Sequence, residues 1–179
     1  YKRQHMLVDK SDWEKIVSEM GIKNEDIVVV YDNSDVISSC RCWFNFIYFG
    51  HDPNLVHVLN GGLKKWLKEH KKVTSDFPVN SNTQYKSFEI KELVKSKNFI
   101  DENIISQSFK VVDDRSKERF EGKVPEPRKG LRSGNIKNSF CVPFGDCLNQ
   151  NGTFKEKEKL REVFSSSLKN LNEKNIVFS

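Results

Sequence analysis

Between residues 113 and 128 the chain sets arginines among carboxylates: Asp113-Asp114-Arg115, then Arg119, then Glu126 and Arg128. A guanidinium is a planar fork of fixed donors that can hold a carboxylate through two hydrogen bonds at once. Such residues can bind a small anion, and they can equally close on neighbouring carboxylates as ion pairs. For Arg119 and Arg128 the partners in the second case would be Glu118, Glu121 or Glu126. Asp113 and Arg115 follow the run Phe109-Lys110-Val111-Val112, an expected strand, and functional loops of parallel sheets gather at strand ends. Taken alone, that pair reads as a structural ion pair that shapes the loop.

Charge distribution favours a small anion over a polymer. The formal net charge is +5, and residues 1–80 are balanced, so the whole excess lies in residues 81–179. The lysines there alternate with glutamates, as in Lys155-Glu156-Lys157-Glu158-Lys159, which is a solvated helix face and not the basic, aromatic-laced surface of a nucleic-acid binder. No apolar run approaches the roughly 18 residues of a membrane span, and no signal-type apolar stretch follows Tyr1-Lys2-Arg3-Gln4-His5. Neither nucleic acid nor membrane is an expected partner. Cys40, Cys42, Cys141 and Cys147 form no Cys-x-x-Cys pair and no zinc set. They are expected to be reduced thiols, in an intracellular compartment, with no metal and no cofactor.

The elements that must position these residues alternate between helix and strand. Trp13, Ile16, Val17 and Met20 share one face of a helix over 12–20, with Gly21 as its stop. Residues 27–31 are continuously apolar and β-branched, the pattern of a strand buried on both faces. A helix over 40–49, dense in aromatics, ends at Gly50. The strand 56–59 breaks at Asn60-Gly61-Gly62, a tight strand-to-helix turn without phosphate-loop spacing, and opens a helix over 63–69. Polar residues between 74 and 86 are the linker candidate. Beyond it the pattern predicts helices near 90–95 and 102–106, the strand 109–112, a long loop over 121–139, a helix over 155–165 and a strand 176–178. This is a layered α/β chain. The order helix, polar loop, strand occurs twice, and it aligns Asp32 with the position after Ser179.

Several segments together resemble the tandem-domain rhodanese family, in its mercaptopyruvate sulfurtransferase branch. They are His5-Met6-Leu7, Val28-Val29-Val30-Tyr31-Asp32, Arg41-Cys42-Trp43, Phe49-Gly50-His51 and Val58-Leu59-Asn60-Gly61-Gly62-Leu63-Lys64-Lys65-Trp66-Leu67-Lys68. The second half adds Val111-Val112-Asp113-Asp114-Arg115, Arg119-Phe120-Glu121-Gly122, Pro125-Glu126-Pro127-Arg128 and Gly134-Asn135-Ile136. The resemblance implies tandem rhodanese-like modules, each a parallel five-stranded sheet flanked by helices, and both incomplete in this chain. Residues 1–80 would be an inactive N-terminal module lacking its start, 81–86 a linker, and 87–179 a catalytic module lacking its active-site loop and end.

The same resemblance implies roles. Arg119 and Arg128 match the arginines that hold the substrate's carboxylate and carbonyl, and Asp113, Arg115 and Glu126 would support them, with Glu126 orienting Arg128. Asp32 occupies the inactive module's counterpart of the nucleophilic cysteine, which is expected directly after Ser179. Arg41 and Trp43 match scaffold positions. The implied chemistry moves sulfane sulfur from 3-mercaptopyruvate through a cysteine persulfide to a thiol acceptor such as thioredoxin or a small thiol, in the cytoplasm or mitochondrion. A thiosulfate-preferring rhodanese and a non-catalytic rhodanese-like binding or regulatory protein stand as alternatives. One departure is visible. The family's Gly-His-Ile-Pro-Gly segment reads Gly134-Asn135-Ile136-Lys137-Asn138 here, which is expected to loosen that loop.

Overall fold

The β-branched run at Val28 forms strand β1 (Val28–Val30), which pairs in parallel with β2 (Val56–Val58) in the register Val29 to His57. This computed structural model describes residues 7–34, 38–168 and 175–179. His5 and Met6, named in the resemblance, lie outside the described residues. The chain divides into two units, one running to Val94 and the other from Lys95 to Ser179. That division is later than the expected boundary. Residues 81–94 belong to the first unit: the Thr83 amide donates to Ser18 O, the Ser87 amide to Glu14 Oε1, and the Ile90 amide to Tyr48 O. Polar composition at 81–86 signalled an irregular segment, but Tyr85 within it is 1% exposed and part of the core.

In the first unit, helix α1 (Lys10–Glu19) buries Trp13 and Val17 and leaves Ile16 and Met20 exposed, a narrower apolar stripe than expected. Gly21 ends it with φ +76°, a left-handed conformation suited to glycine. Helix α2 (Ser38–Tyr48) packs on β1 and β2 and contributes Phe46 and Tyr48 to a core completed by Phe49, Val56 and Tyr85. His51 is buried beneath it. Its Nε2 lies 3.0 Å from Asp26 O and its Nδ1 2.9 Å from the Tyr85 hydroxyl. A carbonyl only accepts, so Nε2 carries the proton and Nδ1 accepts from the phenol. Burial pushes the Tyr85 phenol up to about 12, so it remains a donor.

The expectation that β1 is buried on both faces is overturned: Ile27, Val29 and Tyr31 are all more than half exposed. Helix α2 covers one face only, and the other borders an open groove shared with Leu59, Leu63 and Trp66. The Asn60-Gly61-Gly62 turn leads directly into α3 (Gly62–Lys68), with φ +91° and +55° at the two glycines. A Cβ on Gly62 would lie 2.8 Å from Asp32 O, the carbonyl that accepts the Leu63 amide. Gly62→Ala is therefore expected to lower the stability of the first unit by about 2 kcal/mol. Urea unfolding followed by tryptophan fluorescence reads this directly, because Trp13, Trp43 and Trp66 all lie in that unit. A change below about 0.5 kcal/mol would show that the turn relaxes without strain.

The second unit is built around β3 (Lys110–Asp113), the centre of a parallel sheet of order β4-β3-β5. Its neighbours are β4 (Phe140–Cys141) and β5 (Ile176–Phe178). The expected helix near 90–95 is a single 3-10 turn, Lys91–Leu93, and the one expected at 102–106 is longer, α4 (Lys97–Ser106). Ser96 caps α4 by accepting the Phe99 amide. Buried Asn103 then clamps the chain entering β3, donating to Phe109 O at 2.9 Å and accepting the Phe109 amide at 3.1 Å. Val112, Val142 and Leu168 form the core, with Leu168 supplied by α6 (Lys157–Leu168). Full burial of Val112 alone is worth about 1.5–3 kcal/mol. That anchoring fixes where β3 ends, and β3 ends at Asp113.

Candidate active site

Asp113 is 2% exposed at the C-terminal end of β3, held there because Val111 and Val112 before it are core residues. Its carboxylate turns the chain back on itself: Oδ1 accepts the Arg115 amide at 3.0 Å and Arg115 Nε at 2.9 Å, and Oδ2 accepts Nε at 3.1 Å and Nη2 as well. The remaining donors of Arg115 are also committed. Nη1 reaches Glu126 Oε1 at 2.7 Å and Nη2 reaches Gly134 O at 2.8 Å. The guanidinium proton is bound more tightly than usual, first because of the Asp113 hydrogen bonds.

The short helix α5 (Lys117–Phe120), which the sequence pattern did not reveal, presents Arg119 to the same glutamate. Arg119 Nη2 donates to Glu126 Oε2 and Nε to Oε1 at 3.3 Å. Glu126 is therefore shared by two arginines, and its side chain is 3% exposed. Its carboxyl is held below the usual carboxylate range, with Arg119 as the largest cause, opposed by desolvation. Asp113, Arg115, Glu126 and Arg119 thus form a chain of alternating charges that neutralises itself. Asp114 behaves differently, its carboxyl pushed up by burial and then by the neighbouring Asp113 charge.

These contacts correct one sequence expectation. Glu126 does not orient Arg128; it holds Arg115 and Arg119. Arg119 is committed to Glu126, and Arg128 is exposed. The segment 133–138 is tied to its surroundings by side-chain hydrogen bonds. Asn135 Nδ2 donates to Phe120 O at 2.9 Å, Ser133 Oγ to Val124 O at 3.2 Å, and Asn138 Nδ2 to Ile104 O at 3.2 Å. Asparagine supplies here the side-chain tie that the sequence difference had put in question.

The charge chain forms one wall of an open cavity of about 810 Å³. Asp113, Arg115 and Glu126 line it together with the segment Leu131–Ile136 and Ser179. Ser179 is fixed by its amide donating to Val112 O at 2.8 Å, continuing the β3–β5 pairing. The cavity therefore sits at the carboxyl ends of two adjacent parallel strands, where ligands of open α/β sheets bind. Sequence reasoning missed Arg132, Ser133 and Asn135 as lining residues, because spacing alone does not tell which residues of a long loop fold back onto the strand ends.

At the corresponding point of the first unit the loop after β1 carries a carboxylate. Asp32 Oδ2 accepts the Ser39 amide at 2.5 Å and the Ser38 hydroxyl at 3.3 Å, and Oδ1 accepts the Ser34 amide at 3.2 Å. Burial pushes this carboxyl up, but the Ser39 and Ser34 amides together hold it below its ordinary value. It fills the first turn of α2 with a fixed negative charge. None of the four thiols is activated. Burial raises Cys40, Cys42, Cys141 and Cys147 above the usual thiol range, with Asp32 adding to Cys40 and Asp113 to Cys141. Among the described residues no group of three or more His, Cys, Asp or Glu side chains could hold a metal ion, and no helix is long and apolar enough to cross a membrane.

Comparison with known proteins gives the chain relatives. Residues 2–69 match the rhodanese-like domain family. The chain is 39% identical over 162 residues to the thiosulfate sulfurtransferase of Rattus norvegicus and 34% identical over 162 residues to the 3-mercaptopyruvate sulfurtransferase of Homo sapiens. Each alignment covers 89% of this chain and 54% of the relative. The chain thus spans about half the length of the curated relatives it matches. Among solved structures, the 3-mercaptopyruvate sulfotransferase SseA of Escherichia coli superposes with a TM-score of 0.83 at 21% identity, over 99% of this chain and 65% of that one, a likeness of fold.

Proposed function

The chain carries a rhodanese-like domain and is related to the thiosulfate and 3-mercaptopyruvate sulfurtransferases, and from that premise we propose that it belongs to a sulfurtransferase built of tandem rhodanese-like modules. In this reading residues up to Val94 form the inactive module, with Asp32 in the nucleophile's place, and residues 95–179 contribute to the catalytic one. The observation that carries it is the cavity at the ends of β3 and β5. Its lining carries the paired charges of Asp113, Arg115 and Glu126, and Ser179, directly after β5, lines it as well.

In this proposal the nucleophile is a cysteine directly after Ser179, and not one of the four raised thiols described above. Its thiolate attacks the sulfur of 3-mercaptopyruvate, the C–S bond breaks, and pyruvate leaves as its enolate and takes up a proton. With thiosulfate the S–S bond breaks instead and sulfite leaves. Either way the enzyme holds a persulfide, whose outer sulfur passes to a thiol acceptor such as thioredoxin or a small thiol. The test is the intact mass of the full-length protein after incubation with each donor. A gain of one sulfur atom, removed by added thiol, is expected. No gain with either donor would leave the non-catalytic binding reading.

Arg128 is the residue on which the choice of donor turns. Its exposed fork is matched to the planar carboxylate of 3-mercaptopyruvate. Arg128→Ala is expected to raise KM for 3-mercaptopyruvate about tenfold and to leave KM for thiosulfate within a factor of about two. Steady-state kinetics with both donors measure this, and equal losses would count against the assignment and favour a thiosulfate-preferring enzyme.

A further inference from the structure

The cavity wall supplies buried charge but little net attraction for an anion. Asp113 and Glu126 balance Arg115 and Arg119, and every nitrogen of the Arg115 fork already has an acceptor in the protein. An incoming oxyanion would have to displace a carboxylate to use them. Arg132 is placed differently. It lines the same cavity, is exposed, and has no carboxylate partner among the described residues. Its backbone is nonetheless held on the side that follows it: Ser133 Oγ bonds Val124 O, Gly134 O accepts from Arg115, and Asn135 bonds Phe120 O. Packing adds a further restraint, since a Cβ on Gly122 would lie 3.4 Å from the Gly134 amide nitrogen. An uncompensated cation on a fixed segment, facing a neutral wall, is a capture device for negative charge.

We propose that Arg132 is the cavity's anion-capturing residue and that it favours doubly charged oxyanion donors over singly charged ones. The proposal rests on the reading of this cavity as the sulfur-donor site and assigns a specificity determinant within it. Coulomb attraction scales with the charge of the ligand, so one unpaired guanidinium helps thiosulfate, a dianion, more than 3-mercaptopyruvate, whose carboxylate carries a single charge. Arg128 and Arg132 then divide the task. Arg128 recognises the planar carboxylate by geometry, and Arg132 draws in charge without regard to shape.

The experiment uses the full-length protein and sulfate, a dianion that cannot transfer sulfane sulfur. Sulfate affinity is measured by calorimetric titration at low and high salt for the wild type, Arg132→Lys and Arg132→Gln. The glutamine variant is expected to bind sulfate about tenfold more weakly and to lose most of the salt sensitivity of binding, while the lysine variant stays close to wild type. In turnover, Arg132→Gln should raise KM for thiosulfate more than KM for 3-mercaptopyruvate and leave kcat unchanged. Unchanged sulfate affinity in Arg132→Gln, or equal KM increases for the two donors, would overturn the assignment. A wild type that turns over neither donor would sink the sulfurtransferase reading itself, and the sulfate titration would still decide whether Arg132 captures anions.

Discussion

In the proposed sulfurtransferase, Glu126→Ala is expected to lower kcat/KM for either sulfur donor by about a hundredfold, although Glu126 contributes no donor that an anionic substrate could use. Among the described residues its carboxylate joins Arg115 to Arg119, Oε1 accepting from both and Oε2 from Arg119. Remove it and two guanidiniums stand beside each other with Asp113 as the one remaining carboxylate of the chain. Arg115 keeps Asp113 and Gly134 O, but Arg119 swings free and the loop is left with its Lys123–Glu118 and Asn135–Phe120 hydrogen bonds and the turn at Gly122 to hold it to α5. A shift of about 1 Å in a positioned group is enough for a loss of this size. Glu126→Gln separates charge from shape: it keeps one acceptor oxygen but balances neither arginine, so its loss should be intermediate.

A pH profile gives a second readout. The folded-state carboxyl of Glu126 lies below its ordinary value of 4.5. Its contribution is therefore complete above that value and is lost as pH falls through the lowered one. Wild-type unfolding free energy should decline with acid in that interval, and the decline should be shallower in Glu126→Gln. If Glu126→Ala retained full activity and the same acid profile, the charge chain would be an incidental surface network.

How far this arrangement could be read from the sequence depended on how local each contact is. The Asp113–Arg115 pair was legible, because a carboxylate two residues before an arginine at a strand end can reach it without any knowledge of the fold. Strands β1, β3 and β5 were legible as short apolar runs, and α1 and α2 through the spacing of their aromatic and apolar residues. The double partnership of Glu126 was not, since it requires the chain to return to Arg115 after eleven positions that include α5 and an irregular loop. Strand β4 is two residues long and α5 four, too short for either periodicity to register. The exposure of Val29 was hidden for another reason: a continuous apolar run is the same whether one face or two are covered, and only the packing of α2 decides it. Arg132 could not be singled out from Arg128, Lys129 and Lys137 by spacing alone.

Phe49→Ala is expected to destabilise the first unit by about 3–5 kcal/mol, the largest stability effect that this core allows. Phe49 is 0% exposed, stacked on Trp13 with ring centroids 4.9 Å apart and an interplanar angle of 13°, and set edge-on to Tyr48 at 5.0 Å. Truncation removes an aromatic ring from the junction of α1 and α2 and leaves a cavity that cannot collapse. Too much fixed structure surrounds it. Gly50 next to it is held at φ +79°, and the Phe88 amide is bonded to Phe49 O. The lost ring contacts add to the lost burial. Since Trp13 is the stacking partner, its fluorescence should change in the native state as well as at the unfolding midpoint. The urea midpoint should fall with the slope unchanged, because the surface exposed on unfolding is nearly the same. Phe49→Leu fills most of the space and should recover more than half of the loss. A loss below about 1 kcal/mol in the alanine variant would mean that the helices close over the gap. That result would move the anchor of the first unit from this aromatic stack to the His51–Tyr85 hydrogen bond on its other side.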